Sequence, residues 1–131
     1  MKIAALDIGL KRIGVALCPN GSTVLPQPAI IRINRHQAAR EVREFIEEWG
    51  IDMLVVGIPR GGSSEDEMSR RIDHFVSLLE LQDHVDVVYQ DEAGSSMEAK
   101  EYMQGRVRQK RDGRIDSISA QIILERWLEN Q

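Results

Sequence analysis

With 131 residues and a net charge of −4, the chain has room for one domain with one core, and it lacks the overall basic charge of a general nucleic-acid binder. Its single cysteine, Cys18, excludes an internal disulfide and a cysteine metal cluster, in keeping with a reducing cytoplasm. No apolar run approaches the roughly 18 residues of a membrane span, and Met1-Lys2-Ile3 enters a strand at once, so neither an anchor nor a signal peptide is expected.

Aromatic residues make up only 5% of the chain, so the core must be built mainly from Ile, Leu, Val and Ala. Residues 2–8 predict a buried strand, Gly9 to Arg12 a turn, and Ile13 to Cys18 a second strand. Pro19-Asn20-Gly21 is another turn signal. A third strand is expected near Ala29 to Ile33, after the Pro26-Gln27-Pro28 break. The short connections make these an antiparallel meander.

The period then changes. Ala38, Val42, Phe45, Ile46 and Trp49 recur at helical spacing, and Gly50 ends the run. Met53 to Ile58 is continuously apolar, the mark of a buried parallel strand. Pro59 to Ser64 is a loop. A helix is expected from Glu65 to Leu81, with Met68, Ile72, Phe75, Val76 and Leu79 inward. Val85 to Tyr89 predicts the fifth strand. Ser95 to Met103 predicts a helix opened by a Ser95–Glu98 capping box. The basic stretch 105–114 is expected to be a loop, and Ile115, Ile118, Ile122, Trp127 and Leu128 build the last helix.

Right-handed crossovers would set the fourth and fifth strands parallel to the first. The expected fold class is therefore α/β: one domain, residues 1–131, with a mixed five-stranded sheet and helices on both faces.

Three acids stand out against this frame. Asp7 interrupts an apolar strand, and Glu92 follows Asp91 where the fifth strand runs out. Asp116 lies in the first turn of the last helix. A carboxylate in a buried strand is costly unless something neutralises it. Three acids converging from distant parts of the chain suggest a divalent metal and phosphodiester hydrolysis. Two magnesium ions about 4 Å apart can activate a water and stabilise the leaving oxygen. Asp7 would bridge them, with Glu92 and Asp116 each flanking one ion.

Each acid also has a plainer explanation. Asp7 could pair with Lys11 or Arg12 in the following turn. Gly9 favours function, since a residue without a side chain lets a phosphate backbone approach. Glu92 could be a solvated strand end, and Asp91 is explained by entry into a helix. Asp116 alone would be read as a helix cap. It shares a stripe with Ala120, Ile123 and Trp127, however, and if that stripe packs on the sheet the metal role overtakes the cap.

Basic residues offer grip on phosphate. Arg106, Arg108, Lys110, Arg111 and Arg114 face only Asp112 in their segment, and they lie just before Asp116, which favours substrate contact over a solvated loop. Lys11 and Arg12 could hold a phosphate backbone or simply solvate their turn. His36, His74 and His84 are scattered and read as surface residues, and Cys18 as a small core residue.

Leu6-Asp7-Ile8-Gly9, then Arg12-Ile13-Gly14-Val15-Ala16, resembles the opening hairpin of the YqgF (RuvX) family of small bacterial proteins with an RNase H-like fold. Val55-Val56-Gly57-Ile58-Pro59, Asp91-Glu92, and Ile115-Asp116-Ser117 with Ala120, Ile123, Leu124 and Leu128 resemble that family's later motifs, in order and over nearly the whole chain. The resemblance implies a nuclease using Asp7, Glu92 and Asp116 with one or two Mg²⁺ or Mn²⁺ ions. It implies a role in 5′-end maturation of 16S ribosomal RNA, with ribosomal particles as possible partners, or resolution of Holliday junctions in branched DNA. Two positions depart from the pattern. Ala93 stands where an Arg is expected, and Arg60-Gly61-Gly62-Ser63-Ser64 replaces a Leu-Asn-containing loop. Arg60 is the candidate to restore the lost positive charge.

Two rivals remain. Asp7-Ile8-Gly9 with Gly14 also resembles the first phosphate loop of actin-like ATPases, but those proteins need two lobes and this chain has room for one. A nucleic-acid-binding module without activity would suit Ala93, but has no use for three converging acids.

Overall fold

The structure is a computed structural model and describes residues 1–59, 65–91 and 114–131. Strand β1 (Ile3–Ile8) alternates between two apolar environments. Ala4, Leu6 and Ile8 enter one core, while Ile3 and Ala5 enter another on the opposite face. A tight turn leads to β2 (Arg12–Cys18), which pairs antiparallel with β1 from Ile3↔Cys18 to Ile8↔Ile13. The Gly9 amide donates to the Arg12 carbonyl at 3.0 Å, and a Cβ on Gly9 would meet that same oxygen at 2.7 Å. The hairpin therefore demands glycine here for its own closure. Closure of the turn, rather than access for phosphate, accounts for glycine at position 9.

Strand β3 (Leu25–Ile31) begins four residues earlier than the sequence suggests and takes in Pro26 and Pro28. Proline was expected to break the strand. It is tolerated because β3 is an edge strand, where a missing N–H on the outer side breaks no ladder bond. The β2–β3 register slips between Ile13 and Val15, a bulge opposite Gly14.

Helix α1 (Arg35–Trp49) is set by a reciprocal capping box, in which Asn34 accepts from the Gln37 amide at 2.8 Å and Gln37 accepts from the Asn34 amide at 3.2 Å. It stops at Gly50, whose φ of 61° is left-handed. Strand β4 (Met53–Ile58) coincides with its apolar run and pairs parallel to β1.

Helix α2 (Glu65–Leu78) ends short of Leu81, because the Leu79 and Glu80 amides fold back onto the Val76 and Ser77 carbonyls and Glu80 takes a φ of 46°. Ile72, Phe75 and Leu79 are buried as expected, and Met68 and Val76 are half-buried. Strand β5 (Asp86–Asp91) runs two residues past the expected end, since its length follows the parallel ladder with β4, which holds to Ile58↔Asp91.

Helix α3 (Arg114–Glu129) buries Ser117, Ser119, Ala120, Ile123 and Leu124, while Ile118 and Ile122 are only half-buried. The face is displaced from the one the large apolar residues suggested, because α3 packs on Ala5 and Ala16 and small residues permit that approach. The Ser117 hydroxyl donates to the Gln27 carbonyl at 2.6 Å and ties α3 to β3.

The sheet order is β3-β2-β1-β4-β5, with β1 central. Helices α1 and α2 cover one face and α3 the other. The expected mixed sheet, with β4 and β5 parallel to β1, is what forms. Among the described residues, no helix is long and apolar enough to cross a membrane.

Candidate active site at the end of the central strand

Asp7 is the penultimate residue of β1, at the carboxyl end of the central strand. Alternation from Ile3 and Ala5 places it on the face covered by α3. Its cross-strand partner on β2 is Gly14. On the other side, Leu6 pairs with Val56, so Gly57 follows at the level of Asp7. Both glycines are buried, and neither places a side chain directly across from the half-buried carboxylate. The bulge in β3 lies opposite Gly14, one strand further out, and bulges gather beside sites where strands must be re-aimed. In the sequence, Gly14 and Gly57 show as glycines interior to two otherwise apolar strands, and only the strand pairing brings them to the level of Asp7.

The remaining candidates divide sharply. Arg12 opens β2, is half-buried and shares the parity of Gly14, which gives it the face of Asp7. Lys11 is exposed in the turn, and its carbonyl accepts from the Arg32 amide at 2.9 Å. The helix entry expected beyond Asp91 lies outside the described residues; Asp91 itself is the last residue of β5. It shares parity with Val87, which packs on the α1 and α2 side, so it stands on the face opposite Asp7.

Asp116 is the third residue of α3, inside its first turn and past the cap position. Four residues further on, Ala120 is buried against the sheet, followed by Ile123 and the partly buried Trp127. The stripe containing position 116 does pack on the sheet, though the Asp116 side chain itself lies outside the described residues. Arg114 is the first residue of α3, where a loop was expected, and its side chain is likewise outside the description. Glu92, Ala93, Arg60, Arg106, Arg108, Lys110, Arg111 and the expected helix from Ser95 to Met103 all lie outside the described residues. Among the described residues, no three His, Cys, Asp or Glu side chains cluster as a metal site. His36, His74 and His84 are exposed and Cys18 is buried in the core, as expected.

One cation is bound tightly into this end of the sheet. Arg32 donates to the Gly9 carbonyl at 2.7 Å, and its guanidinium lies 5.1 Å from the centre of the Phe75 ring. Burial lowers its pKa from the ordinary arginine value. Arg32 thus fixes the turn that follows Asp7 to the core under α2.

Comparison with known proteins extends these observations. The model of the family RuvX, described as Holliday junction resolvase, matches residues 1–130. The chain is 65% identical over 128 residues to a protein of Sulfurovum sp. (strain NBC37-1) named "Putative pre-16S rRNA nuclease", covering 98% of both. It is 52% identical to a protein of the same name from Sulfurimonas denitrificans, covering 100% of this chain and 99% of that one. Among solved structures, Thermus thermophilus RuvC in complex with a Holliday junction superposes with a TM-score of 0.65 at 8% identity, covering 99% of this chain and 96% of that one. The fowlpox virus Holliday junction resolvase gives 0.61 at 14% identity, covering 100% of both. At such identities the likeness is one of fold, and the fold is RNase H-like.

Proposed function

The chain belongs to the RuvX family, and from that premise we propose that its 131 residues form one RNase H-like domain acting as a metal-dependent nuclease in 5′-end maturation of precursor 16S rRNA. The observation that carries the site is Asp7: a carboxylate on the central strand of the sheet, at its carboxyl end, between two buried glycines. In α/β sheets this end is where ligands bind.

Asp7, Glu92 and Asp116 would hold Mg²⁺ or Mn²⁺. The fit rests on donor chemistry, since all three offer hard carboxylate oxygens. Asp7 faces the α3 side of the sheet, and Glu92 follows β5 directly in sequence. Position 116 opens the α3 stripe on that same side. When bound, the metal supplies Lewis-acid activation of water and neutralises charge on the phosphodiester. The chain's own residues position the substrate. Arg12, on the face of Asp7, and Lys11, in the exposed turn, would contact backbone phosphates. Arg60, Arg106, Arg108, Lys110, Arg111 and Arg114 would extend that grip, with Arg60 compensating for Ala93. The substrate and any contact with ribosomal particles would set the enzyme in the cytoplasm.

A second reading is favoured by the family description itself: resolution of Holliday junctions. It shares the chemistry and differs in substrate, and it needs two active sites, hence a dimer. The test sets a precursor 16S 5′ fragment beside a four-way DNA junction under identical metal conditions. Cleavage of the RNA alone supports maturation, and paired symmetric cuts in the junction support the resolvase. Binding without cleavage of either would leave a nucleic-acid-binding module.

A further inference from the structure

A second feature stands at the same end of the sheet, on the face opposite Asp7. The β1–β2 turn and α2 enclose a cavity of about 310 Å³. Its floor is apolar, with Ile8, Leu10 and Phe75 among the lining residues. Its rim carries Arg35, Arg70, Arg71 and His74, all exposed, and among the described residues no aspartate or glutamate lines it. In a chain of net charge −4 this is a local concentration of positive charge.

The arginines that line the cavity among the described residues, Arg32, Arg35, Arg70 and Arg71, are not equivalent. Arg32 is committed to the Gly9 carbonyl and the Phe75 ring, so it shapes the floor. Arg71 pairs with Glu67 at 2.6 Å. Arg35 and Arg70 have no ion-pair partner among the described residues. Both stand exposed on the rim, where a ligand can reach them.

An apolar floor with a guanidinium rim suits a flat organic group carrying phosphate. The volume falls at the small end of ligand pockets, about the size of one nucleotide. Ile8 lines the cavity, and Asp7, the preceding residue, faces the other side of the sheet. The β1–β2 turn, with exposed Lys11, follows both residues at this end of the sheet.

We propose that this cavity holds one unpaired nucleotide of the strand whose phosphodiester is cut at Asp7, its base against the apolar floor and its phosphates on Arg35 and Arg70. This deepens the nuclease reading and rests on it for the identity of the strand. A single base can enter such a pocket only when it has left its stack, as in single-stranded RNA recognition, where bases stack on aromatic rings and arginine planes. The site would therefore favour unpaired over duplex substrate.

The test uses Asp7→Asn protein, which binds without cutting, and adds Arg35→Gln with Arg70→Gln, or Leu10→Asp alone. Leu10 is 64% exposed, so its substitution leaves the core intact. Fluorescence anisotropy measures Kd for a single-stranded RNA and for the same sequence as a duplex, across a salt series. The expected result is a Kd for single strand raised about tenfold in both variants, with the duplex little affected. In the double-arginine variant the salt slope should fall by about 1.4, at roughly 0.7 per phosphate contact on single strands. An unchanged Kd, or an equal loss on both nucleic acids, overturns the proposal. Cleavage by the protein with Asp7 intact is scored separately. Absent cleavage tells against the nuclease reading, while unchanged Kd values in a cleaving protein tell against the pocket alone.

Discussion

Asp7 on β1 stands directly across the antiparallel ladder from Gly14 on β2. Paired residues in such a ladder project to the same face, about 5 Å apart, so any side chain at position 14 would crowd the carboxylate. Gly14→Ala should keep the fold, at an overpacking cost of about 1–3 kcal/mol. It should lower metal-dependent cleavage at least about tenfold, since small misplacements at a reacting centre are expensive. Thermal melting and cleavage rate measured together decide it. Unchanged cleavage would mean that the space beside Asp7 has no role.

Arg32 anchors the turn that follows Asp7. Replacing it with methionine keeps the side chain's bulk but removes the hydrogen bond to Gly9 and the contact on Phe75. The expected loss is about 2 kcal/mol, combining a charged hydrogen bond with a partly buried cation–π contact. Urea denaturation reads this directly, and a loss below about half a kcal/mol would show that the guanidinium is held by neither.

Ser117 holds α3 to the edge strand through the Gln27 carbonyl. Ser117→Ala leaves that carbonyl without its donor and should cost about 1 kcal/mol. If α3 carries Asp116 into the site, the same change should also weaken metal binding, which calorimetry with Mn²⁺ would register. Full stability in the variant would contradict the tie.

Burial, then a hydrogen bond to Asp73 and its negative charge, raise the Tyr89 phenol above the ordinary value of 10.0. A raised folded-state pKa means that the protonated phenol stabilises the fold. That contribution is complete below the unfolded value near 10 and is lost as pH climbs through the folded value. Asp73→Asn should lower the alkaline midpoint of phenolate absorbance assigned to Tyr89. A midpoint identical to that of the parent protein would remove Asp73 as a cause.

Much of the sheet was legible in the sequence. Met53 to Ile58 is apolar because β4 is covered on both faces, and α1 declares itself through period and cap. Strand β3 was misplaced because proline reads as a break unless the strand is known to be an edge, which depends on long-range pairing. The buried face of α3 was legible in part: the stripe of Ala120 and Ile123 packs on the sheet, but Ser117 and Ser119 are buried beside it for their small size, whereas hydrophobicity pointed to Ile118 and Ile122. At the site, Asp7 was legible as an acid out of place in an apolar strand. Its two glycine neighbours were not, since Gly57 reaches its level only through the parallel pairing of β1 with β4.

The central claim is that Asp7 serves a metal-dependent nuclease, and the most direct measurement is cleavage of a precursor 16S 5′ fragment by purified protein. Parallel reactions contain Mg²⁺, Mn²⁺ or chelator, with Asp7→Asn protein beside the parent. The account predicts cleavage by the parent in Mg²⁺ or Mn²⁺, none in chelator, and a loss of several orders of magnitude in Asp7→Asn with RNA binding retained. Cleavage that survives Asp7→Asn, or that proceeds fully in chelator, would contradict it.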